Sequence, residues 1–367
     1  MTDSRVHESL GKYPARRRFL VGFHGTSLPA FLREQLAQGL AGVVLYPRNF
    51  ESVVGLITLT SEIREAAGGP VLIGIDQEGG TRFSLPSPFT QWPSPAELGA
   101  LGDLDAVRGV GEAIGRELAA AGVNLNFAPM LDLHINPASP VTHRRSYGVL
   151  PDHVAKMGVA FHLGLTSAGI LSCAKHFPGH GDAAIDPHED LPIFHGDAVR
   201  LADMELVPFQ AAIAAGVPAI MTAHILLPQL DAKYPASLSA RLLREELRDR
   251  MDFHGVILAD DLGMGAITRR FPLAESVITT FSAGTDMAML CHDLSRLPPA
   301  IDAATAALDS GQLSGAAWEA SGARIENLLR LAGKSQPEDL AMIGCDEHQE
   351  FATSLAQRVG GATRVAS

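Results

Sequence analysis

The stretch KHFPGHGDAAIDPHEDLP, residues 175–192, holds three histidines, three aspartates, a glutamate and a lysine among glycines and prolines that break any helix or strand pattern. Within it Asp186 and His188 stand two apart, so an extended segment puts both side chains on one side, where a carboxylate can accept a hydrogen bond from an imidazole. Such a pairing selects one tautomer and raises the basicity of the ring, as a general acid/base working near neutral pH requires. Pro187 fixes its own φ and disfavours helical backbone at Asp186, so the pair is expected in an extended conformation. The PGHG segment before it reads as a hinge-like link. Zinc is the rival chemistry, because His176, His180, Asp182 and His188 are all possible ligands. Against it, the chain has no HExxH, and His176 and His180 are separated by Phe-Pro-Gly, which no regular helix accommodates.

A second concentration of carboxylates lies in GVILADDLGM, residues 255–264, where Asp260 and Asp261 close an apolar run. If the run is a strand, alternation turns one of them inward and its neighbour outward. The series Val256, Leu258, Asp260 and Ile257, Ala259, Asp261 are equally apolar, so both assignments stand at this point. An inward carboxylate would serve as a nucleophile in covalent glycoside hydrolysis or as a metal ligand, and Asp261 also fits the N-cap of the segment that follows. Lys175, Asp76 and Arg145 add two cations and a carboxylate, a set suited to the hydroxyls of a polyhydroxylated ligand. Phosphate is the alternative ligand for the two cations, although no helix N-terminus follows PGHG to assist.

Eight short apolar runs must position these groups: residues 19–25, 42–49, 71–80, 123–133, 170–181, 219–228, 255–264 and 284–293. Helical spacing separates them, as in residues 106–122 and 152–169, each ending at a glycine suited to a helix C-terminus. Near-continuous apolar strands alternating with helices indicate a parallel sheet covered on both faces, and eight such units predict an α/β fold of the (β/α)8 TIM-barrel type. DQEGG after the third run is no dinucleotide fingerprint, since it lacks GxGxxG opening a helix. In a barrel the chemistry collects at the strands' C-terminal ends. Those ends are His24, Arg48, Asp76, Asp132, Lys175 with His176, His224, Asp260 with Asp261, and His292 with Asp293. The expected organisation is an N-terminal extension 1–18, a catalytic barrel 19–334, and a linker with a C-terminal helix over 335–367.

The 367 residues are 46% hydrophobic and 19% charged, enough for a large core, and the net charge of −12 argues against a nucleic-acid or anionic-membrane partner. Cys173, Cys291 and Cys345 form no framework and read as reduced thiols. Arg16–Arg18 precede an apolar stretch too short for a secretion signal, and no run reaches the length of a membrane span, so a cytoplasmic protein is expected.

Taken together, KHFPGHG followed by DPHEDLP, GIDQEGG after the third strand, RRSYG after the fourth and ADDLGM after the seventh resemble glycoside hydrolase family 3 in its β-N-acetylglucosaminidase branch. The resemblance runs from about residue 19 to 334. It implies a retaining exo-hydrolase that removes terminal β-linked N-acetylglucosamine, in bacteria typically from peptidoglycan-recycling fragments. Its partner would be an N-acetylglucosamine-containing glycan or muropeptide, with no cofactor or metal, acting as a monomer or weak oligomer. By the same resemblance Asp260 is the nucleophile, His188 the acid/base with Asp186 as its partner, and Asp76, Arg82, Arg145, Lys175 and His176 bind sugar. A histidine in place of the usual glutamic acid does not repel an anionic nucleophile and would also admit phosphate as acceptor, so a phosphorylase is an alternative, as is a β-glucosidase or xylosidase. The chain departs from the family pattern at Ala259, where Ser or Thr is usual, at the shortened TRF around Arg82, and at CHD in place of CN around His292. Two-domain members continue into a sandwich domain, which is not expected here.

Overall fold

Eight parallel strands, β1 Phe19–Val21, β2 Gly42–Leu45, β3 Leu72–Ile75, β4 Leu125–Asn126, β5 Leu171–Phe177, β6 Ala219–Thr222, β7 Val256–Asp261 and β8 Met287–Leu290, pair in sequence order, and β8 returns to β1 to close a barrel. The computed structural model describes residues 13–80, 85–334 and 338–365, with side chains as far as 361. Each strand falls inside one of the eight apolar runs and occupies only its first part. The remainder of each run is loop. In β4 the strand stops after two residues because the Asn126 side chain takes over pairing, accepting from Gln77 N at 2.9 Å and donating to Gln77 O at 2.9 Å, and Pro129 then has no N–H to offer the ladder.

Alternation divides the strand residues between two cores. Leu20, Val44, Leu72, Cys173, Leu258 and Met289 belong to the cluster inside the barrel, whereas Val21, Val43, Ile73, Ala174, Ile257 and Leu290 pack outward against the helices. The two helices expected from spacing run over Leu104–Ala120 and Pro151–Ser167. Asp103 caps the first by accepting from Ala106 N at 3.0 Å, and both chains turn away through left-handed glycines, Gly122 (φ 77°) and Gly169 (φ 75°).

Helix Gly315–Ala332 closes the barrel's N-terminal end, inserting Ile325, Leu328 and Leu329 against the interior cluster. Burying each such side chain is worth about 1.5–3 kcal/mol. Helix Asp346–Val365 packs on the outside, with Leu355 buried and Phe351 edge-on to Trp92. Buried Glu117 anchors it by accepting from Thr90 N, Gly344 N and His348 Nδ1. No helix among the described residues is long and apolar enough to cross a membrane.

Candidate active site

Asp76, Lys175 and Asp260 each extend an inward-facing series by one pleat beyond the apolar interior: Leu72, Gly74, Asp76 on β3; Leu171, Cys173, Lys175 on β5; Val256, Leu258, Asp260 on β7. Asp261 follows Ile257 and Ala259 in the other series, but the β7–β8 register shifts between Ala259 and Asp261, and Asp261 also reaches the wall of the cleft. The three inward groups, with Arg145, His176, Asp186 and His188, line one cleft at the C-terminal mouth of the barrel. Its volume of about 170 Å³ falls below that of drug-sized ligand sites, which suits a single sugar ring better than several. Val44, Phe127, Met221 and Met289 supply apolar wall. Arg82 lies outside the described residues.

Charge beneath the cleft is balanced without water. Arg145 donates from Nε and Nη2 to both oxygens of Glu78 at 2.8 and 2.7 Å, while Lys175 Nζ lies 2.6 Å from Glu78 Oε1 and also binds Asp76 Oδ1. Arg145, Lys175 and Glu78 are all buried. Burial alone would raise the Glu78 pKa, but Arg145 and Lys175 reverse the effect and bring it to about 2. Burial would likewise discharge Lys175, and Asp76 and Glu78 instead hold its pKa above the ordinary lysine value. Arg145 is delivered by the loop after β4, where Arg144 takes a left-handed φ of 56° and its side chain pairs with Glu97 at 2.7 Å.

His176 enters the cleft beside Lys175 because the β5–β6 register breaks between Ala174 and Phe177. Its Nδ1 donates to Asp132 Oδ2 at 2.7 Å, leaving Nε2 as the acceptor. Fully buried Asp132 also accepts from His180 N at 2.7 Å, and PGHG is buried throughout against Leu133 and Glu205. That packing makes PGHG a rigid seat and corrects the hinge reading. Of the residues that could have held zinc, His176 is paired with Asp132, Asp182 with Arg200 at 3.0 Å and His188 with Asp186. Among the described residues no three histidine, cysteine or acidic side chains converge as a metal site.

Asp260 works against two opposing influences. Burial penalises its charge, but His224, His176 and His188 and the Asp261 N–H, donated at 2.7 Å to Asp260 Oδ1, outweigh it and hold the pKa below the ordinary aspartate value. Burial in turn lowers the His224 pKa below the ordinary histidine value, against the attraction of Asp260. His224 Nε2 donates to the Asp261 carbonyl at 3.0 Å and its Nδ1 accepts from Ser237 Oγ at 2.7 Å, which fixes the backbone carrying both aspartates. Asp261 does not cap a helix: the next one, Gly265–Thr268, begins from Met264 without a side-chain cap. Instead Asp261 Oδ1 accepts from Gly263 N at 2.8 Å and Cys291 N at 3.1 Å, tying the turn after β7 to the end of β8. His292 lines the cleft 3.8 Å from Asp261 Oδ2 and against the Tyr46 ring.

The Asp186–His188 pair forms with Nδ1 to Oδ1 at 2.7 Å, but the segment is a turn and not extended. Asp186 Oδ1 also accepts the backbone N–H of His188 at 2.9 Å, and Asp186 O accepts from Glu189 N at 2.9 Å, so an Asx turn replaces the expected strand-like geometry. The turn docks on the segment after β7: Ala266 N donates to Pro187 O at 3.0 Å and Gly265 N to His188 O at 3.3 Å. A Cβ at Gly265 would stand 2.5 Å from His188 O, so only glycine permits the approach.

Glu78, Asp132, His224 and Gly265 were not assigned site roles from sequence. Asp132 and His224 were visible as strand-end polar residues, and Glu78 as an acid between apolar residues and glycines in DQEGG. Of the other strand ends, Arg48 donates to the Phe23 and Cys291 carbonyls at 3.0 and 2.7 Å, while His24 and Asp293 lie outside the cleft lining.

Two outcomes follow from this geometry. Glu78 ionises more readily folded, at about 2, than at its ordinary 4.5, so the stability it contributes is complete above pH 4.5 and is lost as pH falls towards 2. Glu78→Gln should cost about 3–5 kcal/mol in urea unfolding at neutral pH and flatten the acid-side loss; an unchanged acid slope would assign that slope to other carboxylates. Gly265→Ala should leave the unfolding midpoint nearly unchanged while displacing the His188 turn and lowering kcat/KM on a cleft substrate by about 10²-fold.

Residues 28–328 match the glycosyl hydrolase family 3 N-terminal domain. A β-hexosaminidase of Stenotrophomonas maltophilia is 34% identical over 348 residues, covering 93% of this chain and 98% of its own, and one of Thiobacillus denitrificans is 36% identical over 275 residues, covering 73% and 76%. Among solved structures, a family 3 β-N-acetylglucosaminidase from Paenibacillus sp. superposes with a TM-score of 0.89 at 33% identity, over 94% of this chain and 68% of its own. NagZ from Neisseria gonorrhoeae, solved with N-trifluoroacetyl-D-glucosamine, gives 0.79 at 29% identity over 95% and 99%. The chain therefore belongs to glycosyl hydrolase family 3 and is a glycoside hydrolase.

Proposed function

We propose that this protein removes a single terminal β-linked N-acetylglucosamine with retention of configuration, from peptidoglycan-derived fragments, through a covalent glycosyl-Asp260 intermediate. The observation that carries the reading is the convergence, in one small cleft, of inward-facing Asp260 with the Asp186–His188 pair held above it on the β5 loop. The β-hexosaminidase relatives and the N-acetylglucosaminidase structures support the sugar class.

Asp260, kept ionised by the surrounding histidines, attacks the anomeric carbon as the C–O bond to the leaving group breaks. The Nδ1 of His188 is committed to Asp186, so Nε2 delivers the proton to the departing oxygen. In the second step the now neutral Nε2 takes a proton from water, whose oxygen displaces Asp260 from the sugar. Lys175, Arg145, Asp76 and His176 hold the sugar hydroxyls, and Arg82 would join them. An imidazole at His188, unlike a second carboxylate, does not repel Asp260.

A 5-fluoro-N-acetylglucosaminyl fluoride should leave a glycosyl adduct that peptide mass spectrometry places on Asp260. An adduct on Asp261, or none, overturns the assignment. His188→Ala should lower kcat by about 10²–10⁴-fold on a substrate with a poor leaving group and much less on an activated aryl glycoside. Turnover should be the same in phosphate-free buffer; a sugar phosphate product would redirect the reading to phosphorolysis.

A further inference from the structure

At the end of the barrel opposite Asp260, a cavity of about 650 Å³ opens beside the starts of β1 and β8. Four arginines line it: Arg18 immediately before β1, Arg244 and Arg248 on the π-helical segment Arg241–Arg250, and Arg324 on helix Gly315–Ala332. The charge against them is small. Asp286, fully buried, takes Arg324 through Nε at 3.0 Å and Nη2 at 2.7 Å, binds Arg248 Nη2, and offers its carbonyl to Arg18 Nη1 at 3.3 Å. Asp249 is the other carboxylate on the wall. Four guanidiniums thus face two carboxylates, an excess of two positive charges in a chain whose net charge is −12.

The arginines are also incompletely satisfied. Arg18 is almost wholly buried, stacked 3.5 Å over Trp318, and its Nε has no partner; neither have Arg248 Nε and the neighbouring Thr285 Oγ1, both buried. These three atoms lie just behind the cavity wall, while the other nitrogens of Arg18 and Arg248 donate to Ser321, Trp318 O, Phe253 O and Gly255 O. Burial, with a smaller contribution from Arg324, outweighs the attraction of Asp286 and brings Arg18 to about 9 and Arg248 to about 10. Ser314 caps helix Gly315–Ala332 on the same wall, so the first-turn N–H groups of an 18-residue helix, with open space beside Gly315, add positive potential.

We propose that this cavity binds a small dianion of the phosphate type, at a site separate from the catalytic cleft. Its excess of two charges matches a dianion, and the guanidinium forks and helix N–H groups match phosphate oxygens. Inorganic phosphate and a phosphate monoester share this chemistry.

The test titrates the full chain with inorganic phosphate and with glycerol 3-phosphate by calorimetry, in the presence and absence of saturating N-acetylglucosamine to occupy the cleft. One equivalent of probe should bind regardless of the sugar, more weakly as ionic strength rises, and the tighter of the two probes identifies free phosphate or ester as the preferred source. Arg244 is exposed, so Arg244→Glu should fold with an unchanged unfolding midpoint and full hydrolytic activity while weakening binding about tenfold or more, and Arg244→Ala should fall between. Absence of binding by both probes at millimolar concentration, displacement by the sugar, or indifference to Arg244→Glu overturns the proposal.

Discussion

Closing eight parallel strands into a barrel forces every second strand residue inward, and near the mouth those inward positions become charged. Asp76, just beyond β3, and Lys175 and Asp260, on β5 and β7, come from three of the four odd-numbered strands and stand directly above an apolar layer. Charges there persist only if they neutralise one another, which explains why Glu78 and Arg145 join from loops. The floor of the cleft is therefore assembled before any sugar arrives, and substrate hydroxyls meet groups whose orientation has already been set by burial.

A second layer of residues fixes those that face the sugar. Asp132 holds the His176 ring and the backbone of His180, and His224 grips the peptide between Asp260 and the turn that follows. Asp261, adjacent to the proposed nucleophile, spends one carboxylate oxygen on Gly263 and Cys291 and so staples β7 to β8. Neighbouring carboxylates at one strand end thus have different partners. The N-terminal end of the barrel follows a different rule, since its arginines outnumber their carboxylates and leave polar atoms unpaired.

The strand pattern was legible because two-sided burial writes itself as continuous apolar runs, and all eight runs contain a strand. Loop geometry was less so. Pro187 suggested extension, yet the Asp186 carboxylate closed a turn by accepting a local N–H, an option that spacing alone does not exclude. PGHG read as a hinge, but its glycines serve close packing against Leu133 and Glu205. The choice between Asp260 and Asp261 could not be made from alternation, because both series are apolar when strands are buried on both faces; the series of Asp260, Val256 and Leu258, is the one that belongs to the interior cluster. Glu78 escaped notice because its partners, Arg145 and Lys175, lie far along the chain.

The Asx turn at Asp186 places the orienting carboxylate and the imidazole in one three-residue unit, Asp186 to His188, joined by backbone and side-chain bonds to the same oxygen. In the proposed mechanism, proton donor and tautomer lock therefore travel as a package. Any displacement of the turn changes how far His188 stands from Asp260 while Asp186 keeps hold of Nδ1. The reach of the proposed acid/base can thus be retuned through the segment on which the turn docks, with its chemistry inherited intact.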